Sequence, residues 1–89
     1  MELYTHLDIQ YLLADKIKAL RKEKKMTQKQ MSHHADIPLS TYARIEQLGE
    51  GSLKDFAKIL VCLGRADEIG KILQSTDVTP VEVYESMKR

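Results

Sequence analysis

The sequence predicts an all-α protein, a bundle of five short helices with a short C-terminal helix or tail. Three observations carry this expectation. Apolar residues recur at helical steps of three and four through most of the 89 residues, and nothing reads as a β-strand. Capping patterns recur, with Thr27 and Gln30, Ser52 and Asp55, and Thr79 and Glu82 each spaced as in a capping box. Gly49, Gly51 and Gly64 fall between the apolar runs.

The first helix is expected to begin after Thr5 or Asp8 and to run to about Lys24. Ile9, Leu13, Ile17 and Leu20 step by four, four and three and predict one buried stripe, which Leu12 widens. Thr27 then caps a short second helix with Met31 and Ala35 on one face, and Ala35-Asp36-Ile37 supplies a turn. The third helix spans about Leu39 to Glu46, with Tyr42 and Ile45 inward. Helices this short cannot bury enough apolar surface to stand alone, so the rest of the chain is expected to hold them.

Ser52 caps a fourth helix whose Leu53, Phe56, Ala57, Ile59, Leu60, Val61 and Leu63 make it apolar on nearly all sides. Such a helix is either central to the core or shared with a second subunit. Gly64 fits a left-handed C-terminal cap. Arg65 to Gln74 reads as a fifth helix that buries Ile69, Ile72 and Leu73. Ser75 to Val78 is a linker, and Pro80 opens a final helix with Val81, Tyr84 and Met87 on a weak stripe. Residues 1–74 thus form one domain, and 75–89 a linker with a short helix.

An apolar fraction of 43% is ordinary for a folded domain, and a net charge of +1 does not itself argue for nucleic acid. The distribution says more. Lys16, Lys18, Arg21, Lys22, Lys24, Lys25 and Lys29 are opposed only by Glu23, whereas from Leu48 onward acids outnumber bases by one. This asymmetry implies either a phosphate-facing basic side or a solvated helix face. Cations also suit the C-terminal end of the first helix dipole. Cys62 is the only cysteine, which rules out an internal disulfide and a Cys-based zinc cage and fits a reducing compartment. MELYTHLDIQ does not read as a signal peptide, and no stretch approaches the roughly 20 apolar residues that span a bilayer. A soluble, cytoplasmic protein is expected.

Met26 to Gln47 reads as a helix-turn-helix, a motif that delivers its second helix to the DNA major groove. The run LRKEKKMTQKQMSHHADIPLSTYARIEQ resembles the Xre/Cro/phage-repressor family. The family places Gln after Thr at the start of the second helix, here Thr27-Gln28, and a small residue four later, here Ser32. Its turn Gly is replaced by Asp36, and its buried aliphatics followed by Glu fall at Tyr42, Ile45 and Glu46. Asp tolerates the left-handed region better than most residues, and a buried Tyr42 ring must find a partner for its hydroxyl. The resemblance covers about Asp8 to Leu73 and implies a five-helix phage-repressor-like bundle whose third helix enters the major groove. A narrower resemblance, over IPLSTYARIEQLGEGSLKDFAKILVCLGRADEIGKIL, is to HipB-like regulators, the antitoxin partners of HipA-type kinases.

Matching the outward positions of the recognition helix, Leu39, Ser40, Ala43 and Arg44, to the family implies Leu39, Ser40 and Arg44 as base readers. Leu39 suits a thymine methyl, Ser40 several base edges, and Arg44 guanine N7 and O6. The alternatives are a core or staple role for Leu39 and a phosphate contact for Arg44. Gln28 is the implied phosphate anchor, with Lys29, Thr41 and Gln47 as further backbone contacts. One recognition helix reads too few base pairs for selective binding, so a homodimer on a palindromic operator with half-sites roughly 34–36 Å apart is expected. Its interface would draw on Leu53, Phe56, Leu60 and Ile69, unless these fill the monomer's core.

No enzyme is indicated, and no cofactor or metal. His6, His33, His34 and Cys62 lack metal-ligand spacing, Glu46 has no partner carboxylate or nucleophile near it in sequence, and Gly49 and Gly51 do not make a phosphate loop. The resemblance implies a transcriptional repressor that serves as the antitoxin of a HipA-type kinase system, with the HipA-like kinase or its companion protein as partner, in a bacterial or phage-encoded, nucleoid-associated setting. A free-standing Xre-type repressor is the first alternative. A protein-interaction module that has lost DNA binding is the second.

Overall fold

The computed structural model describes residues 4–72 and 85–87. It contains four α-helices, α1 (His6–Glu23), α2 (Gln28–His34), α3 (Leu39–Leu48) and α4 (Leu53–Cys62), and a 3-10 helix (Ala66–Lys71). Residues 85–87 are also helical, and no described residue lies in a strand. Leu73, the linker from Ser75 to Val78 and the Thr79–Glu82 cap lie outside the described residues.

The helix starts follow local chemistry. At α1 the Asp8 amide donates to Thr5 Oγ1 at 3.2 Å and the Thr5 amide donates to Asp8 Oδ2 at 2.9 Å, a complete capping box. Thr27 and Gln30 close the same box at α2, at 3.1 and 2.8 Å. At α4 the Asp55 amide donates to Ser52 Oγ at 3.0 Å. Each such cap is worth about 1 kcal/mol, a meaningful share for helices of seven to ten residues.

α1 packs chiefly on α3, and α2 packs on α3 and α4. Ile17, Met31, Ala35, Ile37, Tyr42, Ile45, Ile59 and Leu63 form the core, flanked by Leu20, Met26, Phe56 and Cys62. The buried line of α1 differs from the expected stripe. Ala14, Ile17 and Arg21 are buried, whereas Ile9 and Leu12 are each 49% exposed. The α3–α4 loop is the reason for this rotation. The Gln10 side chain donates to the Gly49 carbonyl at 3.2 Å, which turns the Gln10 face of α1 inward.

The turns hold the predicted pair of helices at a fixed angle. Asp36 adopts φ 56°, the left-handed conformation that its place in the turn requires. Lys58 of α4 donates to the Asp36 carbonyl at 3.1 Å and so ties the turn to the scaffold. Lys25 also has positive φ, 57°, which the sequence does not signal. Gly49 caps α3 at φ 68°, and a Cβ there would collide with the Gln10 backbone.

Two expectations about the C-terminal half are corrected. α4 is not wrapped in core: Ile59 is its only buried residue, Phe56 and Leu60 are half-buried, and Leu53 is 80% exposed. The fifth helix is a 3-10 helix that leaves Ile69 and Ile72 exposed. Its Ile69 and Ile72 instead stand at the edge of a channel between α1 and α4. Among the described residues that channel is a groove lined by Leu13, Leu20, Phe56, Leu60, Ile69 and Ile72.

Tyr42 is fully buried, and its hydroxyl finds no hydrogen-bond partner among the described residues. Removing an unbonded buried hydroxyl relieves its desolvation cost, whereas removing the ring opens a cavity. Tyr42→Phe is therefore expected to leave stability unchanged or raise it by up to about 1 kcal/mol, and Tyr42→Ala to cost about 3–5 kcal/mol. Thermal and urea melts check both; a destabilised Phe variant would mean that the hydroxyl is bonded in solution.

Candidate nucleic-acid interface

α3 begins directly after Pro38, at φ -56° and ψ 142°, and Tyr42 N–H donates to the Pro38 carbonyl at 2.9 Å. The first turn has no side-chain cap. Tyr42, Ile45 and Glu46 point into the protein. Leu39, Ser40, Arg44 and Gln47 are exposed, and Thr41 and Ala43 are half-buried at the margin. Leu39 is thus a surface residue and not part of the core. Of the expected working positions, Leu39, Ser40, Arg44 and Gln47 are thus outward on α3, and Gln28 and Lys29 lie on α2.

The inward face holds the group that fixes this arrangement. Glu46 and Arg21 form a buried, two-pronged ion pair, with Arg21 Nε to Glu46 Oε2 and Arg21 Nη2 to Glu46 Oε1 both at 2.8 Å. Their side chains are 1% and 10% exposed. Arg21 Nη1 also donates to the Met26 carbonyl at 2.7 Å, so the same guanidinium pins the α1–α2 turn. Arg21 therefore fits neither reading the basic run left open, phosphate-facing or solvated; it is a structural cation.

Gln28 joins this cluster. Its Nε2 donates one N–H to Glu46 Oε1 at 3.1 Å, leaving the second N–H without a partner among the described residues. The half-buried amide is thereby oriented at the start of α2, next to exposed Lys29. Burial pushes the Glu46 carboxyl up, but hydrogen bonds from Arg21 and Gln28, the Arg21 charge and the nearby Tyr42 hydroxyl together outweigh it. The net result lies below the usual carboxylate range. The Glu46 hydrogen bond raises Arg21 in turn, against its own burial. Burial first, then the adjacent Glu46 charge, pushes the Tyr42 phenol far up, so it stays neutral. The hydroxyl feels Glu46 electrostatically without completing a hydrogen bond.

Arg44, the implied guanine reader, is paired through Nη2 with Glu50 Oε1 at 3.1 Å on the surface. His33 and His34 are exposed, with rings in an edge-to-face contact. Cys62 is half-buried and donates its thiol to Met31 Sδ at 3.3 Å, which is packing. No group of His, Cys, Asp and Glu among the described residues is arranged to hold a metal. Of the residues assigned to a second subunit, Leu53 and Ile69 are exposed and Phe56 and Leu60 half-buried.

Sequence reasoning missed Arg21, Glu50 and the Lys58–Asp36 tie. For Arg21 a signal existed: it lies four residues after Ile17, on the continuation of a buried line, and Glu46 follows inward Ile45. Opposite charges on the inward faces of two helices predict a pair. Glu50 and Lys58 have no comparable sequence signal, because their partners are set by loop and helix placement.

The fold and this face define a small DNA-binding regulator of the helix-turn-helix class. A helix-turn-helix family profile matches residues 17–66, more than half of the chain, and the chain belongs to that family, in its Xre/Cro-like form. Members of the family are DNA-binding transcription regulators and generally not enzymes. Comparison with curated proteins and with solved structures returns no match. No helix among the described residues is long and apolar enough to cross a membrane.

The ion pair makes stability depend on pH in one direction. Because Glu46 sits below its unfolded value of about 4.3, its contribution is complete above that value and is lost as pH falls toward the lowered folded one. Glu46→Gln is expected to flatten this acid limb in chemical denaturation. Arg21→Met alone is expected to cost about 3–5 kcal/mol, whereas Arg21→Met with Glu46→Leu recovers most of the loss. A double variant as unstable as the single one would contradict the pairing.

Proposed function

We propose that the protein is a sequence-specific repressor that binds a palindromic operator as a homodimer and acts as the HipB-like antitoxin of a HipA-type kinase system, repressing its own operon. The observation that carries the DNA-reading half is the exposed face of α3, with Leu39, Ser40 and Arg44 outward and Glu46 locked inward. Leu39 contacts thymine methyls, Ser40 reads adjacent edges, and Arg44 pairs with guanine. Ala43 is small enough to let the helix settle into the groove. Gln28, with its free N–H, together with Lys29, Thr41 and Gln47, contacts phosphates and sets orientation.

The dimer draws support from the apolar surface that α4 and the 3-10 helix leave open, with Leu53 and Ile69 exposed and Phe56 and Leu60 beside them. The antitoxin half rests on the resemblance of residues 37–73 to HipB-like regulators. The HipA-like kinase, or its companion protein, would engage a surface outside α3. Such a protein works in the cytoplasm of a bacterium, at the nucleoid.

Duplexes enriched from a random library supply the operator. Replacing Ser40 and Arg44 with Ala is expected to abolish its binding while leaving the dimer intact; unchanged affinity contradicts the assignment to α3. Affinity should fall steeply and log-linearly with salt, because phosphate contacts release counterions. Sedimentation equilibrium at micromolar concentration is expected to give twice the 10.2 kDa chain mass, and a monomer alone counts against the dimer. A HipA-like kinase reading frame beside this gene, and co-purification of its product, are expected. Their absence makes the protein a free-standing repressor.

A further inference from the structure

We propose that Glu50 is a specificity-determining residue, which pins the Arg44 guanidinium toward base edges and away from phosphate. The proposal rests on the reading of α3 as the recognition helix and deepens it. Glu50 lies just beyond the C-terminus of α3, six residues after Arg44, and its Oε1 accepts from Arg44 Nη2 at 3.1 Å. Both side chains are solvent-accessible, so the pair itself adds little to stability. Its placement is nevertheless fixed by the fold.

Glu50 sits between two glycines, each pressed against a different helix. A Cβ on Gly49 would collide with the Gln10 backbone of α1, and one on Gly51 would lie 2.6 Å from Ile45 Cγ1 of α3. The Gly49 carbonyl is held by the Gln10 side chain, and its N–H donates to the Ile45 carbonyl at 2.8 Å. A loop this tightly seated fixes the Glu50 backbone within reach of Arg44, and the carboxylate accepts from Arg44 Nη2.

The chemistry then separates the two roles open to Arg44. A carboxylate next to the guanidinium offsets its charge and repels phosphate, which makes Arg44 a poor backbone contact. The remaining N–H donors of Arg44 have no partner among the described residues. With one donor held by an exposed pair, the long side chain is biased by up to a few-fold toward one set of conformers before DNA arrives, a modest pre-organisation. A pinned guanidinium with free donors suits bidentate reading of guanine O6 and N7. The cost is general affinity, because a fixed negative charge faces the phosphate backbone.

The experiment measures wild type, Glu50→Gln, Arg44→Ala and the double variant against the enriched operator, each single-base-pair change in it, and a scrambled duplex. Circular dichroism confirms that all four are folded. Glu50→Gln is expected to bind every duplex about twofold to fivefold more tightly, since it removes a repelled charge. At the one base pair whose identity also ceases to matter in Arg44→Ala, discrimination is expected to fall about threefold or more. At the other positions it should stay constant. In the Arg44→Ala background, Glu50→Gln should alter affinity but not discrimination. Equal discrimination at every position, or the same loss without Arg44, overturns the proposal. So does an Arg44→Ala variant that weakens binding uniformly and lowers the salt slope by about 1, the mark of a phosphate contact. A wild-type protein that enriches no sequence overturns the recognition reading itself, an outcome distinct from these.

Discussion

Arg21 and Glu46 lie on different helices, and the orientation of α3 follows from their pairing. Charges removed from water this completely bring little net stability, since desolvation offsets most of their attraction. What the pair contributes is geometry. The planar guanidinium meets the carboxylate with two parallel bonds, a fit that tolerates little rotation of either helix. With Glu46 fixed inward, Arg44 two residues earlier lies roughly 200° around the helix and therefore outward. The third arm of Arg21 holds the Met26 carbonyl, and Gln28 takes a free position on Glu46. One buried pair thus sets the turn before α2, the side chain at the start of α2 and the exposed face of α3.

The rest of the scaffold makes that setting rigid. Asp36 takes the left-handed turn between α2 and α3, and Lys58 ties it to α4. Gly49 and Gly51 let the loop after α3 lie directly on α1 and on Ile45. These ties lie close around the recognition helix. Farther away, between α1, α4 and the 3-10 helix, the packing among the described residues is open and leaves apolar side chains exposed. Tight packing around α3 suits a molecule that presents that helix to DNA.

Much of the fold was legible because helix starts and turns are local chemistry. The box at Thr27, the Ser52 cap, the left-handed Asp36 and Gly64, and the inward Met31, Ala35, Tyr42 and Ile45 all follow from residues within four positions of one another, although Asp55 does not complete a box with Ser52. Burial was less legible, because it depends on which helices meet. Ile9 and Leu12 satisfy a helical stripe as well as Ile17 does, yet Gln10 anchors α1 in a rotation that leaves them outside. Apolar α4 residues such as Val61 and Leu53 look like core in sequence but face solvent in the monomer. At the site, the outward position of Leu39, Ser40 and Arg44 was legible from helical phase. The partners of Arg44 and Gln28 were not, because they come from 6 and 18 residues away through tertiary placement.

Amide chemical-shift mapping during titration with an enriched operator duplex tests most directly whether α3, held by its buried pair, is the reading surface. The largest changes are expected at Leu39, Ser40 and Arg44, with a second group at Gln28 and Lys29 and little change along Leu53 to Cys62. Changes centred on α4 and the 3-10 helix, with the start of α3 unaffected, would contradict it.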